Sequence, residues 1–205
     1  MDEQHIVDQA VAALRAGEPI VLPTDTVYGL CAYAYRSDPA RRLSTIKRRE
    51  ESQPIALVAA DLDMLLECVP ELRGRAATQA RALLPGALTL VLPNPGRRFP
   101  WLTGSRPDTI GVRVPAIAGP ARSVLDAVGA VAATSANLTG EPDPKTLDDI
   151  PEEIRSACGA VIDGGELPGT PSTVVDLTGP EPEILREGAV SAEEVLARLA
   201  DRVSL

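Results

Sequence analysis

Ile6, Ala10, Val11 and Leu14 recur at helical spacing, which predicts an opening helix that Gly17 caps. A three-residue apolar run, Ile20 to Leu22, follows as a strand, and Pro23 should end it or bring it to a sheet edge. Leu30 to Tyr35 reads as a second strand. Ser37-Asp38-Pro39 starts a helix that runs through Leu43 and Ile46 into the basic cluster Lys47-Arg48-Arg49. Ile55 to Val58 is a short apolar strand, Asp61 can cap a helix through Leu62, Leu65 and Leu66, and Glu71 to Leu84 predicts another helix. Leu88 to Leu92 is an apolar, buried strand. Ile110 to Val114 follows as a strand with Arg113 inside it, then a helix over Ala121 to Val128 and a strand over Ala130 to Ala133. Leu147 to Ala157 predicts a helix, Ala160 to Ile162, Ser172 to Leu177 and Glu183 to Arg186 predict strands, and Ser191-Ala192-Glu193-Glu194 is a capping box for the last helix. Without repeats or a linker, the pattern predicts one mixed α/β domain over residues 1–205.

Between these elements lie polar stretches of a different kind. Leu22 to Leu30 reads LPTDTVYGL: three short oxygen-bearing side chains, a tyrosine with an apolar body and polar tip, and a glycine that permits φ > 0 or close approach. Taken alone, the stretch reads first as a polar turn between strands, since polar turns far outnumber active sites. Lys47-x-Arg49 can clamp phosphate oxygens, or simply meet the negative end of a helix dipole. Ser135-Ala136-Asn137 offers hydroxyl, amide and backbone donors, or a local turn. Arg113, set in an apolar strand, needs an anion, which a bound ligand or a partner carboxylate would supply. Pro93 to Thr109 is long, rich in Pro, Gly and Arg, and of a length that belongs to lids and binding loops.

Composition narrows the chemistry. A net charge of −9 argues against a general nucleic-acid binder, which needs a basic face. Aromatic residues make up 2%, so Val, Leu, Ile and Ala must fill the core. Cys31, Cys68 and Cys158 are odd in number and far apart, which fits neither a disulfide framework nor a zinc site and suits a reducing cytoplasm. The start, MDEQHIVDQA, is too polar and acidic for a signal peptide, and no apolar run approaches ~18 residues. His5 is the lone histidine, at the start of a helix, so Ser-His, Cys-His and most zinc chemistry fall away. No G-x-G-x-x-G occurs, and the partial P-loop match at Gly140 to Thr146 fails because Pro144 stands where the second glycine belongs.

Taken in order, PTDTVYGL, K-x-R, PGALT, GVRVP, SANLTG, PSTVVD and ILREGA closely resemble the YrdC-like family of threonylcarbamoyl-AMP synthases, in its short single-domain form. The resemblance runs from about Pro19 to Ala189. It implies an α+β fold with an open, twisted sheet and a deep, basic concave cleft. It also implies a nucleotidyltransferase that makes threonylcarbamoyl-adenylate and pyrophosphate from L-threonine, bicarbonate or CO2 and ATP with Mg2+ on the phosphates. Partner proteins then modify tRNA in the cytoplasm, with no membrane contact and no stable nucleic-acid binding by this chain. By position, Thr26, Tyr28, Arg113 and Ser172 are implied for threonine, with Tyr28 and the residues around Thr26 sensing its methyl group. Lys47, Arg49, Thr109, Ser135, Asn137 and Arg186 are implied for ATP, Lys47 and Arg49 being catalytic. The sequence departs from the family pattern at Glu50, at Ala87, and at Val58, where many relatives carry a histidine beside the threonine pocket. Two other readings are a carbamoyl-adenylate-forming enzyme, as in the related domain of hydrogenase maturation proteins, and a non-catalytic RNA-binding module.

Overall fold

The computed structural model describes residues 2–201. Helices are α1 (Glu3–Ala16), α2 (Ser37–Ile46), α3 (Leu62–Cys68), α4 (Gly74–Leu83), α5 (Gly119–Val128), α6 (Glu152–Ser156) and α7 (Ala192–Asp201). Strands are β1 (Ile20–Leu22), β2 (Gly29–Tyr33), β3 (Ala56–Ala59), β4 (Leu88–Pro93), β5 (Thr109–Arg113), β6 (Ala130–Ser135), β7 (Ala160–Val161), β8 (Thr173–Asp176) and β9 (Glu183–Arg186). The strands form one mixed sheet in the order β7-β1-β2-β6-β3-β5-β4-β8-β9.

Side-chain alternation sends the two halves of each strand to different environments. Leu30, Leu57, Leu88, Leu90, Leu92, Ile110, Val112 and Val175 pack with residues of α2, α3, α4, α6 and α7 into the larger core. On the opposite face, α1 and α5 pack over Ile20, Leu22, Cys31, Val58 and Val131. They cover only one end of it. The rest of that face, over β3, β4, β5, β6 and β8, stays open, which is why β4 alternates buried and half-buried positions instead of being buried throughout.

Most predicted elements are present, and the differences have local causes. The helix predicted over Leu147 to Ala157 is only Glu152–Ser156. Pro151 disfavours helix in the residue before it, and the Asp149 carboxylate accepts from the Lys145 and Thr146 amides to hold a turn. β6 runs on through Ser135 because Gly29 and Leu30 continue the ladder opposite Ser135 and Thr134. Gly29 therefore lies in regular strand, and its contribution is an absent side chain on the open face. The helix predicted from Glu71 begins at Gly74, since the Glu71 carboxylate is engaged by Arg98 (2.8 Å).

The Pro93–Thr109 connection is packed and anchored, not a loose lid. Asn94 is fully buried and bonds Arg98 N, Arg98 O and Pro107 O. Leu102 is fully buried, the Trp101 indole donates to Ala34 O (3.0 Å), and the Ile55 amide donates to Leu102 O (2.9 Å). Gly104 has φ 57°, and a Cβ there would stand 2.3 Å from Ser52 O. We expect Gly104→Ala to cost on the order of 2–4 kcal/mol through the clash and the left-handed backbone together. Urea unfolding checks this, and an unchanged midpoint would mean the loop yields freely.

Candidate functional site

The open end of the sheet is the floor of a cleft of about 420 Å³, within the range of small-molecule sites. Gly29, Ala56, Gly111 and Ala133 line it and keep its floor clear over β2, β3, β5 and β6, while Leu22, Cys31, Val58 and Val131 form an apolar end beneath α5. Lys47, Arg49, Arg113 and Arg186 bring four cations to the lining, against one lining carboxylate, Asp143. An acidic chain thus carries a basic recess.

Lys47 and Arg49 reach this recess through the way α2 ends. Lys47 caps the helix, Arg48 turns left-handed at φ 52°, and the Arg48 and Arg49 amides donate back to Thr45 O and Ser44 O. This is a Schellman termination with arginine in the place glycine usually takes. It throws Arg48 outward, onto Glu153 (3.0 Å), and leaves its two neighbours on the cleft side. Glu50 points to Ser52 and does not line the cleft.

The Lys47 ammonium donates to Ser135 O (2.5 Å), Asn137 O (2.5 Å) and Asn137 Oδ1 (2.9 Å), so all three of its hydrogens are used by the turn after β6. Asn137 also accepts from Ser135 Oγ (2.6 Å) and donates to Glu141 O (2.6 Å). Lys47 therefore acts on a ligand through charge and by shaping this turn, not as a free hydrogen-bonding fork. Burial, reinforced by Arg49, pushes its pKa down to about 8. Arg49 donates to Thr134 Oγ1 (3.1 Å) and Pro54 O (2.7 Å), while its buried Nε has no partner among the described residues.

Arg113 is buried, and its Nη2 pairs with Asp25 Oδ1 and with Thr26 Oγ1 (2.8 Å). Asp25 Oδ2 accepts from the Ala116 amide (2.9 Å). A partner carboxylate does exist, then, but it occupies one edge of the guanidinium only. Arg113 Nε is buried with no partner among the described residues. Asp25 is the positioning residue that sequence reasoning passed over; its signal was an acid beside the two threonines of the opening stretch. Thr89, also unassigned from the sequence, lines the cleft and shares a 2.8 Å hydrogen bond with Ser172. Arg186 donates to Ser172 O (2.8 Å) and Ser172 Oγ (3.3 Å).

Three implied residues lie elsewhere. Tyr28 is fully buried on the larger-core side and does not line the cleft. Its hydroxyl donates to Gly165 O (2.8 Å) and accepts from the Gly164 amide (2.9 Å), so it braces the 163–165 turn. Thr26 is fully buried behind Arg113 and bonds Thr24 Oγ1 (3.0 Å), a support and not a wall. Thr109 shares the face of Gly111 and Arg113 but lies beyond the lining, its hydroxyl on Arg106 O (3.1 Å). Lys47, Arg49, Arg113, Ser135, Asn137, Ser172 and Arg186 do come together around the cleft.

The family model for Sua5, YciO and YrdC proteins, described as telomere recombination, matches residues 12–188. A threonylcarbamoyl-AMP synthase of Pyrococcus abyssi is 34% identical over 94% of the chain, and one of Bacillus subtilis 31% over 93%. The chain spans 57% and 56% of their respective lengths. Among solved structures, Pyrococcus abyssi Sua5 complexed with L-threonine superposes with a TM-score of 0.86, 33% identity, and coverage of 97% of this chain and 58% of that one. Escherichia coli YciO gives 0.80 at 28% identity, with coverage of 94% and 93%.

Two expectations follow from the basic wall. Arg49→Ala should lower turnover about 100-fold or more, the loss typical of a removed charge-stabilising donor. Arg48→Ala should change it less than about twofold, since an exposed pair is worth roughly 0–1 kcal/mol; equal losses in steady-state kinetics would mean diffuse charge. The second concerns Lys47. A polyanion favours its ammonium form, so pyrophosphate affinity should hold steady below pH about 8 and fall as pH rises through it. Calorimetry across pH 6.5–9.5 tests this, and in Lys47→Gln the fall through pH about 8 should be lost, leaving only the titration of pyrophosphate itself.

Proposed function

We propose that this chain, which belongs to the Sua5/YciO/YrdC family, is an L-threonylcarbamoyladenylate synthase that forms threonylcarbamoyl-AMP and pyrophosphate from L-threonine, bicarbonate or CO2 and ATP. The observation that carries the reading is Arg113. A buried guanidinium held on one edge by Asp25 and Thr26, with Nε unpartnered among the described residues, is a preset receptor for a small carboxylate in a cleft where cations outnumber the one lining carboxylate, Asp143.

In this reading Arg113 takes the threonine carboxylate and Ser172 lies beside it, while Lys47, Arg49, Ser135, Asn137 and Arg186 receive ATP. No lining side chain needs to act as a nucleophile, because the amino acid supplies its own. The residues catalyse by position and by electrostatics. The amine captures CO2, and the carbamate oxygen displaces pyrophosphate at the α-phosphorus. Arg49 and Arg186 then offset charge growing on the leaving group, with Lys47 adding its field from the turn it holds. Mg2+ belongs to the proposal as the nucleotide's companion on the phosphates, and Asp143 is the lining carboxylate on the Lys47 side of the cleft. Downstream proteins that pass the threonylcarbamoyl group to tRNA, and a cytoplasmic setting, are parts of the same proposal. Among the described residues no helix is long and apolar enough to cross a membrane.

Pyrophosphate release, measured with each substrate omitted in turn, tests the reaction. Threonine, bicarbonate and ATP should all be required, and carbamoyl phosphate should replace none of them. Turnover with ATP and carbamoyl phosphate, in the absence of threonine and bicarbonate, would install the carbamoyl-adenylate chemistry, and salt-dependent RNA binding without any turnover would install the RNA-binding module. For the carboxylate site, Arg113→Lys keeps the charge and loses the fork. Threonine affinity should fall about 10-fold or more, as one charge-assisted hydrogen bond is worth roughly 1.5–3 kcal/mol, with ATP affinity little changed. Loss of ATP binding with threonine binding kept would reverse the two pockets.

A further inference from the structure

We infer that Thr89, through its hydroxyl, is a catalytic residue that holds the carbamate oxygen formed between the two substrates; this rests on the reaction proposed above. The strand register sets its place. Leu90 pairs with Val112, so the next step along that ladder brings Thr89 opposite Arg113. Thr89 pairs in turn with Val174, and Val174 with Arg186. Arg113, Thr89, Val174 and Arg186 thus form one row across four neighbouring strands, and all four line the cleft. The product has a matching covalent order: carboxylate, amine nitrogen, carbamate carbon, phosphorus. With the carboxylate on Arg113 and phosphate oxygens towards Arg186, the group between them is the carbamate, and the polar side chain between them in the row is Thr89.

The hydrogen bonds around Thr89 give it the right polarity. A guanidinium only donates, so Ser172 Oγ accepts from Arg186 Nη2 (3.3 Å). Ser172 is buried, and the partner available for its own proton is Thr89 Oγ1, 2.8 Å away. If Thr89 donated instead, the proton left without an acceptor would be the buried one on Ser172. The satisfied arrangement runs from Arg186 to Ser172 to Thr89, and it leaves the half-buried Thr89 with its own O–H directed into the cleft. A hydroxyl polarised by a cation at the far end of such a chain is an oxyanion donor.

The step it would assist is balanced. The threonine nitrogen bonds to the carbon of CO2 and releases a proton to solvent. One carbamate oxygen then bonds to the α-phosphorus as the bond to pyrophosphate breaks. Thr89 donates to the other oxygen and holds it in the geometry of attack.

Thr89→Val removes the hydroxyl and keeps the shape, while Thr89→Ser keeps the hydroxyl. In Thr89→Val, kcat for pyrophosphate release should fall about 100-fold and the bicarbonate KM should rise, with threonine and ATP dissociation constants from calorimetry within about twofold of the parent chain. Thr89→Ser should retain most of the activity. Ser172→Ala, which breaks the relay without touching Thr89, should give a smaller loss of kcat in the same direction. Equal losses in the Val and Ser variants would overturn the inference, because shape would then matter and not the hydroxyl. So would a loss of threonine affinity with kcat and bicarbonate KM kept, which would make Thr89 a reader of the substrate's own side chain. A parent chain that releases no pyrophosphate with all three substrates would overturn the underlying reaction instead, and that result is visible before any variant is made.

Discussion

A nine-stranded sheet has two faces to cover, and this chain covers one fully and the other only at one end. That constraint organises the molecule. Because α1 and α5 stop short, the outward positions of β3, β4, β5 and β8 are released from the demand for bulk apolar side chains. They carry Ala56, Thr89, Gly111, Arg113 and Val174 instead. The cleft is the uncovered part of the sheet, and its depth is set by what is missing there: side chains at Gly29 and Gly111, and methylenes at Ala56 and Ala133. Ordered backbone beneath such a surface makes a rigid floor, on which a one-residue change of register would exchange every cleft residue for a core residue.

The walls are built by cations that must be supported before they can bind anything. Lys47 is spent on three carbonyl-type oxygens and ties the end of α2 to the end of β6. Arg113 is held by Asp25 and Thr26, Arg49 by Thr134 and Pro54, and Arg186 by Ser172. Each guanidinium gives only part of its donor set to these partners. For the two buried cations, Lys47 and Arg113, these partners offset the cost that a buried charge without any partner would carry.

The sequence announced the elements well, because each carries a clear period or a terminating residue: Gly17 after α1, Asp61 before α3, Ser191 before α7. It announced the cationic half of the cleft equally well, since an arginine in an apolar strand and a K-x-R at a helix end are conspicuous against a core of aliphatic residues. What it did not distinguish was lining from support. Tyr28 and Thr26 share a nine-residue stretch with the cleft-lining Thr24, yet Tyr28 is packed into the larger core and Thr26 is buried behind Thr24 and Arg113, which only the tertiary packing decides. The roles of Asp25 and Thr89 likewise depend on contacts spanning 88 and 83 residues, which no local pattern encodes. The Pro93–Thr109 connection read only as a long lid or binding loop for the same reason: nothing in its composition marks the buried Asn94 that folds it upon itself.

That anchored connection also determines how the protein should fail. Its Leu102 carbonyl accepts from Ile55, and Pro54, the residue before it, accepts from Arg49, so one continuous set of bonds runs from the surface loop to the cationic wall of the cleft. A wall bonded in this way is ordered as the chain folds, so less ordering entropy is left to be lost when a ligand arrives. Heat or denaturant should therefore remove cleft and fold in a single cooperative step, with no window in which the chain is compact yet blind to its ligands.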